Sequence, residues 1–248
     1  MDQDTTSGLK QRIARFWDAV APAYESRPGH GIANEAEHDA WLTLCRLLLP
    51  PPAADVLDLG TGTGVIAFLA ADIGHRVTGT DLAERMLEVA RRSASSHPNR
   101  PVFVTGDAVA PRFPPASFDA ITNRHLLWTL PEPQVAFQNW FTLLRPGGRV
   151  VIIDGFWNQQ DDDQSDSSSA DEAPDLTAAL FEAAYAGTSR DSLPLMTVTT
   201  VDPVLELLAE AGFTGIEVGD LAVVDSVEET QFAGTRFWIL ARKPAADP

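Results

Sequence analysis

Val56-Leu57-Asp58-Leu59 runs directly into Gly60-Thr61-Gly62-Thr63-Gly64, an apolar stretch followed by three alternating glycines. Glycines in such a turn admit positive φ and let a ligand lie against backbone where a side chain would block it. The chemistry this suits is ligand binding at the carboxyl end of a strand, in the crevice where strand order reverses. Two further apolar runs also end in an acid, Val77-Thr78-Gly79-Thr80-Asp81 and Val102 to Gly106-Asp107-Ala108. A carboxylate at the second tip is placed to accept both hydroxyls of a ribose. Each Asp alone is as readily a helix cap or a turn former. Asp58, Asp81 and Asp107 together mark one edge of a sheet as a polar site.

Acid–base chemistry would fall to His30, His38, His75, His97 or His125, since histidine titrates near neutrality without help. His75 in Gly74-His75-Arg76 and His97 before Pro98 read as solvated turn residues. Asn123-Arg124-His125-Leu126-Leu127-Trp128 follows a fourth apolar run, so Arg124 and His125 stand at the mouth of the expected site. His125 is the candidate base, with a structural hydrogen-bonding role as the alternative. His30 and His38 flank the segment that would cover the site. No histidine has the partner spacing of a metal centre, and none is expected. Trp128 and Trp157, past the fourth and fifth strand ends, would with His30 line a pocket for an apolar or aromatic small molecule. Trp41, on an amphipathic stretch, reads as core.

These residues need a scaffold, and the hydrophobic pattern supplies one. Leu9, Ile13, Phe16, Trp17 and Val20 fall on one helical face, as do Ala36, Ala40, Trp41, Leu44 and Leu48 before Pro50-Pro51-Pro52. Residues 1–52 are therefore expected to form a helical cap, and 53–248 the main domain. Strands are expected at Asp55–Leu59, Arg76–Thr80, Val102–Thr105, Phe118–Thr122 and Arg149–Ile153, and helices at Val65–Ile73, Glu84–Ala94 and Gln134–Leu144. Such alternation predicts an α/β fold: a Rossmann-like, doubly wound, mostly parallel sheet with helices on both faces. Leu176–Ala186 and Pro203–Ala211 add helices. Gly215–Val224 and Arg236–Ala241 are joined by too short a connection for a helical crossover and should pair antiparallel, completing seven strands. Residues 158–174, rich in Asp and Ser and without a large apolar residue, read as a flexible acidic insertion.

The chain has 248 residues, 44% hydrophobic and 21% charged, ample for a packed core without metal or disulfide. Cys45 has no possible partner within the chain. A net charge of −17 repels phosphate, which argues against nucleic acid and anionic lipid as partners. The start Met1-Asp2-Gln3-Asp4 lacks a basic n-region and no stretch approaches the ~20 apolar residues of a bilayer span, so a cytoplasmic, membrane-free monomer or homodimer is expected.

VLDLGTGTG, GTDLAERMLEVAR, GDAVAPRFPPASFDAI and LLRPGGRVVIID together resemble, in order and spacing, the motifs of class I S-adenosylmethionine-dependent methyltransferases. FWDAVAPAYE is similar to the N-terminal segment of the small-molecule enzymes of ubiquinone and menaquinone biosynthesis. The resemblance covers roughly residues 13–155. It implies S-adenosylmethionine as cofactor, S-adenosylhomocysteine as product and a small-molecule acceptor bearing an O, N, S or C nucleophile. Gly60, Thr61, Gly62 and Gly64 would pass under the methionine and ribose, and Asp58 would orient the amino group. Asp81 would hold the ribose hydroxyls, Leu82 and Met86 would border the adenine, and Asp107 would accept from the adenine amine beside Gly106 and Ala108. Asn123 and Arg124 would sit near the methionine end and the acceptor, Arg124 beside His125 as a catalytic candidate, and Tyr24 with Trp17 would close over the cofactor.

Two other readings remain open at this level. Gly62-Thr63-Gly64-Val65-Ile66-Ala67 fits a GxGxxA dinucleotide pattern, although a pyrophosphate would meet no counter-charge there and would face Asp58. A non-catalytic cofactor-binding partner or regulatory protein needs the same residues, and cofactor turnover is what would separate it from an enzyme.

Overall fold

The computed structural model describes residues 3–26, 29–156, 176–185, 191–228 and 235–246. Helix α1 (Gln3–Val20) and α2 (Glu35–Leu48) precede strand β1 (Asp55–Leu59), which leads through the glycine turn to α3 (Val65–Ile73). There follow β2 (Arg76–Asp81), α4 (Glu84–Ala94), β3 (Val102–Thr105), β4 (Phe118–Arg124), α5 (Pro133–Leu143) and β5 (Leu144–Gly155). The chain ends with α6 (Leu176–Tyr185), α7 (Asp202–Glu210), β6 (Thr214–Asp220), α8 (Ala222–Asp225) and β7 (Arg236–Arg242).

The seven strands lie in the order β3-β2-β1-β4-β5-β7-β6. β1 pairs in parallel with both β2 and β4, so the strand order reverses beside β1. That reversal leaves a crevice at the carboxyl ends of the strands, above the glycine turn. β7 runs antiparallel to β5 and to β6. The expected doubly wound, mostly parallel sheet with an antiparallel C-terminal strand is the fold observed.

Strand alternation sends successive side chains to opposite faces. Val56, Ala120 and Val151 pack with Trp41, Leu44 and Leu48 of α2 and Ile66 and Leu69 of α3. Leu57, Ile121 and Ile152 pack with Phe137 and Trp140 of α5 and Val204 and Leu208 of α7. A third cluster joins Leu9, Ile13, Phe16 and Val20 of α1 to Met86 of α4 and Tyr185 of α6. The two N-terminal helices thus do different work: α1 lies beside the cleft, while α2 is built into the core of the sheet. Asn34 fixes the start of α2 by accepting from the Glu37 amide at 3.0 Å, while the Glu37 carboxylate takes the Ala33 amide at 2.8 Å.

The sixth strand, expected over Gly215–Val224, is shorter than its apolar run. β6 stops at Asp220, whose side chain accepts from the Ala222 amide at 3.1 Å and turns the backbone into α8. Leu221 and Val224 then cover α2 in place of continuing the sheet. Residues 158–174, read from the sequence as an insertion, lie outside the described residues.

Candidate active site

The glycine turn is set by its backbone. Gly62 has φ +56° and faces the cleft, where a Cβ would reach 3.8 Å from the Tyr24 ring. Gly64, at φ +96°, starts α3, and a Cβ there would stand 2.9 Å from both Phe68 and Phe103. A side chain at either position meets the left-handed region that favours glycine, and at Gly64 it also meets two rings.

Under the turn lies Asp58, 2% exposed. It accepts hydrogen bonds from the Thr61 hydroxyl at 2.6 Å and the Thr122 hydroxyl at 2.7 Å. Burial pushes its carboxyl up to about 6, against the lowering effect of the two hydroxyls and the positive charge of Arg124. At the tip of β2, Asp81 takes the Gly62 amide at 2.9 Å and the Ala83 amide at 2.8 Å, so one carboxylate ties the first loop to the second. Burial raises Asp81 as well, partly offset by these backbone donors.

At the tip of β3, Asp107 accepts from the Val109 amide at 2.8 Å and from Lys10 of α1 at 2.8 Å. The Trp140 indole donates to the Ala108 carbonyl at 2.7 Å and holds this tip from below. Asp81, Leu82, Met86, Gly106, Asp107 and Ala108 line one end of a cleft of about 730 Å³. Trp17, Tyr24, Arg124, His125, Leu126 and Leu130 line the other.

At the end of β4 the backbone of His125 sits at φ +58° while its amide bonds to the Ile153 carbonyl at 3.0 Å. Positive φ outside glycine concentrates at functional sites, because the surroundings must hold it. His125 packs edge-on to His30, with ring centres 5.7 Å apart, and His30 packs in turn on Tyr24 at 4.8 Å. Burial first, then the charge of Arg124 and the presence of His30, hold the His125 imidazole well below its ordinary value. The ring is therefore neutral at pH 7. Arg124 donates to the His30 carbonyl and lies 5.2 Å from the centre of the Trp41 ring, a cation–π contact that fixes the guanidinium.

Other expected site residues fall elsewhere. Asn123 is fully buried and does not line the cleft, since strand alternation turns it to the face opposite Arg124. Trp128 turns onto Tyr185 of α6, 5.1 Å between ring centres, and touches Trp17 at 6.1 Å. It supports the cleft wall without forming it. Trp157 lies outside the described residues. His38 and His97 both face Asp72, at 3.4 and 3.1 Å, and the His75 ring accepts from the Ala54 amide at 3.2 Å. Lys10, Ile13, Thr129 and Pro131 also line the cleft. The helical spacing of Lys10, Ile13 and Trp17 is the signal that could have found the first two.

Comparison with known proteins places this geometry. Residues 57–152 match the family described as a methyltransferase domain. The demethylmenaquinone methyltransferase of Clavibacter sepedonicus is 31% identical over 144 residues, 58% of each chain. The ubiquinone biosynthesis O-methyltransferase of Xanthomonas campestris is 33% identical over 141 residues, 56% of this chain and 55% of that one. The chain therefore spans a little over half the length of these curated relatives. Among solved structures, the [4+2]-cyclase SpnF superposes with a TM-score of 0.67 at 18% identity, covering 96% of this chain and 97% of that one. Haemonchus contortus phosphoethanolamine N-methyltransferase 2, solved with S-adenosyl-L-methionine, gives 0.62 at 19% identity over 92% of this chain and 57% of that one. Glycine turn, acid-tipped strands and sheet order agree with that match: residues 57–152 are similar to a methyltransferase domain, and the fold is that of the solved structures named above.

Proposed function

We propose that the protein is an S-adenosylmethionine-dependent methyltransferase that methylates an O, N, S or C nucleophile of a small, apolar or aromatic acceptor. The observation that carries this reading is the convergence of Asp58, Asp81 and Asp107, from three adjacent strand tips, around the glycine turn and its cleft. The residues fit the cofactor: Gly62 leaves the backbone open to it, and the acidic, aromatic lining suits a ligand with positive charge at its reacting atom. When bound, the cofactor supplies an electrophilic methyl group on a sulfonium.

In this assignment Asp81 holds the ribose hydroxyls and Asp107 the adenine amine, with Leu82, Met86 and Ala108 as apolar walls. Asp58 orients the amino group. Trp17 and Tyr24 exclude water from the reacting centre, and Ile13, Leu126, Leu130 and Pro131 offer the acceptor an apolar surface. Positioning alone supplies up to ~7–11 kcal/mol for a nucleophile that is already reactive. An acceptor O–H or acidic C–H needs a proton taken, and neutral His125 stands in the cleft to take it. A charge of −17 supports a small-molecule acceptor over nucleic acid. Among the described residues no helix is long and apolar enough to cross a membrane. A cytoplasmic monomer or homodimer completes the proposal.

Fold alone does not settle chemistry, and one neighbour of this fold is named for a cyclisation. The test is calorimetric titration with S-adenosylmethionine, S-adenosylhomocysteine, NAD and NADP, then release of S-adenosylhomocysteine with a panel of phenols, amines and thiols. Binding of the adenosyl ligands with acceptor-dependent release is expected. Binding of a nicotinamide alone would overturn the assignment, and adenosyl binding without turnover on any acceptor would favour the regulatory reading.

A further inference from the structure

Thr129 closes the tight turn Leu127–Thr129 and lines the main cleft beside Leu126 and Leu130. The turn is pinned from below: the buried Asp154 carboxylate accepts the Leu127 amide at 2.9 Å and the Gly155 amide at 2.8 Å. Thr129 Oγ1, on a buried residue, lies 3.0 Å from the hydroxyl of Tyr185 on α6, its one side-chain partner among the described residues. The Tyr185 hydroxyl is also hydrogen-bonded by the Trp17 side chain of α1. An indole N–H donates and cannot accept, so the Tyr185 oxygen takes that proton and has its own to give to Thr129. Burial holds the phenol above its ordinary pKa, so its proton stays in place at neutral pH. Having accepted from Tyr185, the Thr129 oxygen must direct its own O–H elsewhere. The cleft side chains Ile13, Leu126, Leu130 and Pro131 offer it no acceptor. A buried hydroxyl donor without an acceptor is costly, and a ligand oxygen placed opposite it removes the cost.

We infer that Trp17, Tyr185 and Thr129 form a one-way hydrogen-bond chain ending in a donor to the methyl acceptor, and that the acceptor carries a carbonyl oxygen at that point. A carbonyl matches this donor because it accepts without bringing a proton that the apolar wall could not receive. Thr129 is then a specificity residue, and Tyr185 a positioning residue that acts through it. The inference rests on the proposed methyltransferase reading and narrows its substrate class. The acceptor is an apolar or aromatic molecule with two polar points, a nucleophile presented to His125 and a carbonyl held by Thr129.

NMR titration of the S-adenosylhomocysteine-loaded protein tests it, with ortho-, meta- and para-hydroxyacetophenone against the matching isopropylphenols, in which an apolar group of similar shape replaces the ketone. For at least one isomer the wild type should bind the ketone about 5- to 100-fold more tightly, the range expected when the alternative leaves a buried donor unpaired. Thr129→Val, which keeps the side-chain shape, should bring that ratio to within about threefold, and Thr129→Ser should retain it. Tyr185→Phe should lower the ratio about two- to threefold, because the donor that polarises the Thr129 hydroxyl is lost. An unchanged or larger ratio in Tyr185→Phe would mean that Thr129 gives its proton to Tyr185, and the chain falls. If Thr129→Val fails to fold, Thr129→Ser and Tyr185→Phe decide. No ketone preference in the wild type, or one that survives Thr129→Val, overturns the inference. So does an equal loss of S-adenosylhomocysteine affinity in Thr129→Val, which would give the hydroxyl to the cofactor. Failure of the wild type to bind S-adenosylhomocysteine at all overturns the cofactor assignment itself.

Discussion

Lys10 of α1 donates to Asp107 at the tip of β3 across 2.8 Å, with Glu132 3.6 Å from the same ammonium. One of the chain's two lysines thus ties the first helix to the end of the cleft assigned to adenine. The pair is partly exposed, so its contribution to stability is modest, about 1 kcal/mol or less. Its effect should fall on the mobility of α1. Lys10→Met is expected to shift the melting temperature by no more than a few degrees while speeding cofactor release severalfold. Stopped-flow displacement of bound S-adenosylhomocysteine measures this, and an unchanged release rate would mean that α1 is held by its apolar face alone.

Asp81 is the second test. Its carboxylate bonds to the Gly62 and Ala83 amides and still faces the cleft, so removing it affects both loop geometry and ribose binding. Asp81→Ala should weaken S-adenosylhomocysteine about 10- to 100-fold with the circular dichroism of the sheet and helices retained. Asp81→Asn keeps one acceptor and should fall between. Equal affinity in all three proteins would remove the ribose assignment.

Asp58 gives cofactor binding a pH dependence whose direction follows from its raised pKa. Below about 3.8 the carboxyl is protonated in both folded and unfolded chains; between 3.8 and about 6 only the folded chain keeps the proton. Its contribution to stability therefore falls as pH rises through that window and then levels off. A ligand ammonium prefers the ionised carboxyl, so affinity should rise from pH 5 to 7 and binding near pH 6 should release a proton. Calorimetry at pH 6 in buffers of different ionisation enthalpy detects the release. Asp58→Asn should abolish it, and persistence of the same release in that variant would assign the proton to another group.

The sheet and the three acid tips were legible because each rests on local pattern: apolar runs, glycines at a turn, an acid at a strand end. What depends on rotation about the chain was not. Asn123 and Arg124 are neighbours in sequence, yet the period-2 rule sends only Arg124 to the cleft. Trp128 follows β4 in a tight turn, Leu127–Thr129, that swings it onto Tyr185. Asp220 ended β6 within an apolar run because its side chain offers the Ala222 amide a turn. Lys10 escaped notice because a lysine on an amphipathic helix ordinarily faces water, and its partner, Asp107, is 97 residues away.

His125 combines a left-handed backbone with a half-buried imidazole held well below its ordinary pKa. Burial of the neutral ring stabilises the fold above about 6.5, and that contribution is lost as pH falls below it. As a base it is already deprotonated at neutrality, so the acid limb of kcat for an O–H acceptor should lie below 6.5. Asparagine tolerates the same backbone conformation but has no basic nitrogen. His125→Asn should therefore fold while lowering kcat about 10²- to 10⁴-fold on any phenol that the wild type turns over, with cofactor affinity little changed. An amine or thiolate acceptor, needing no base, should lose far less. Equal losses on both acceptor classes would mean that His125 shapes the pocket and takes no proton.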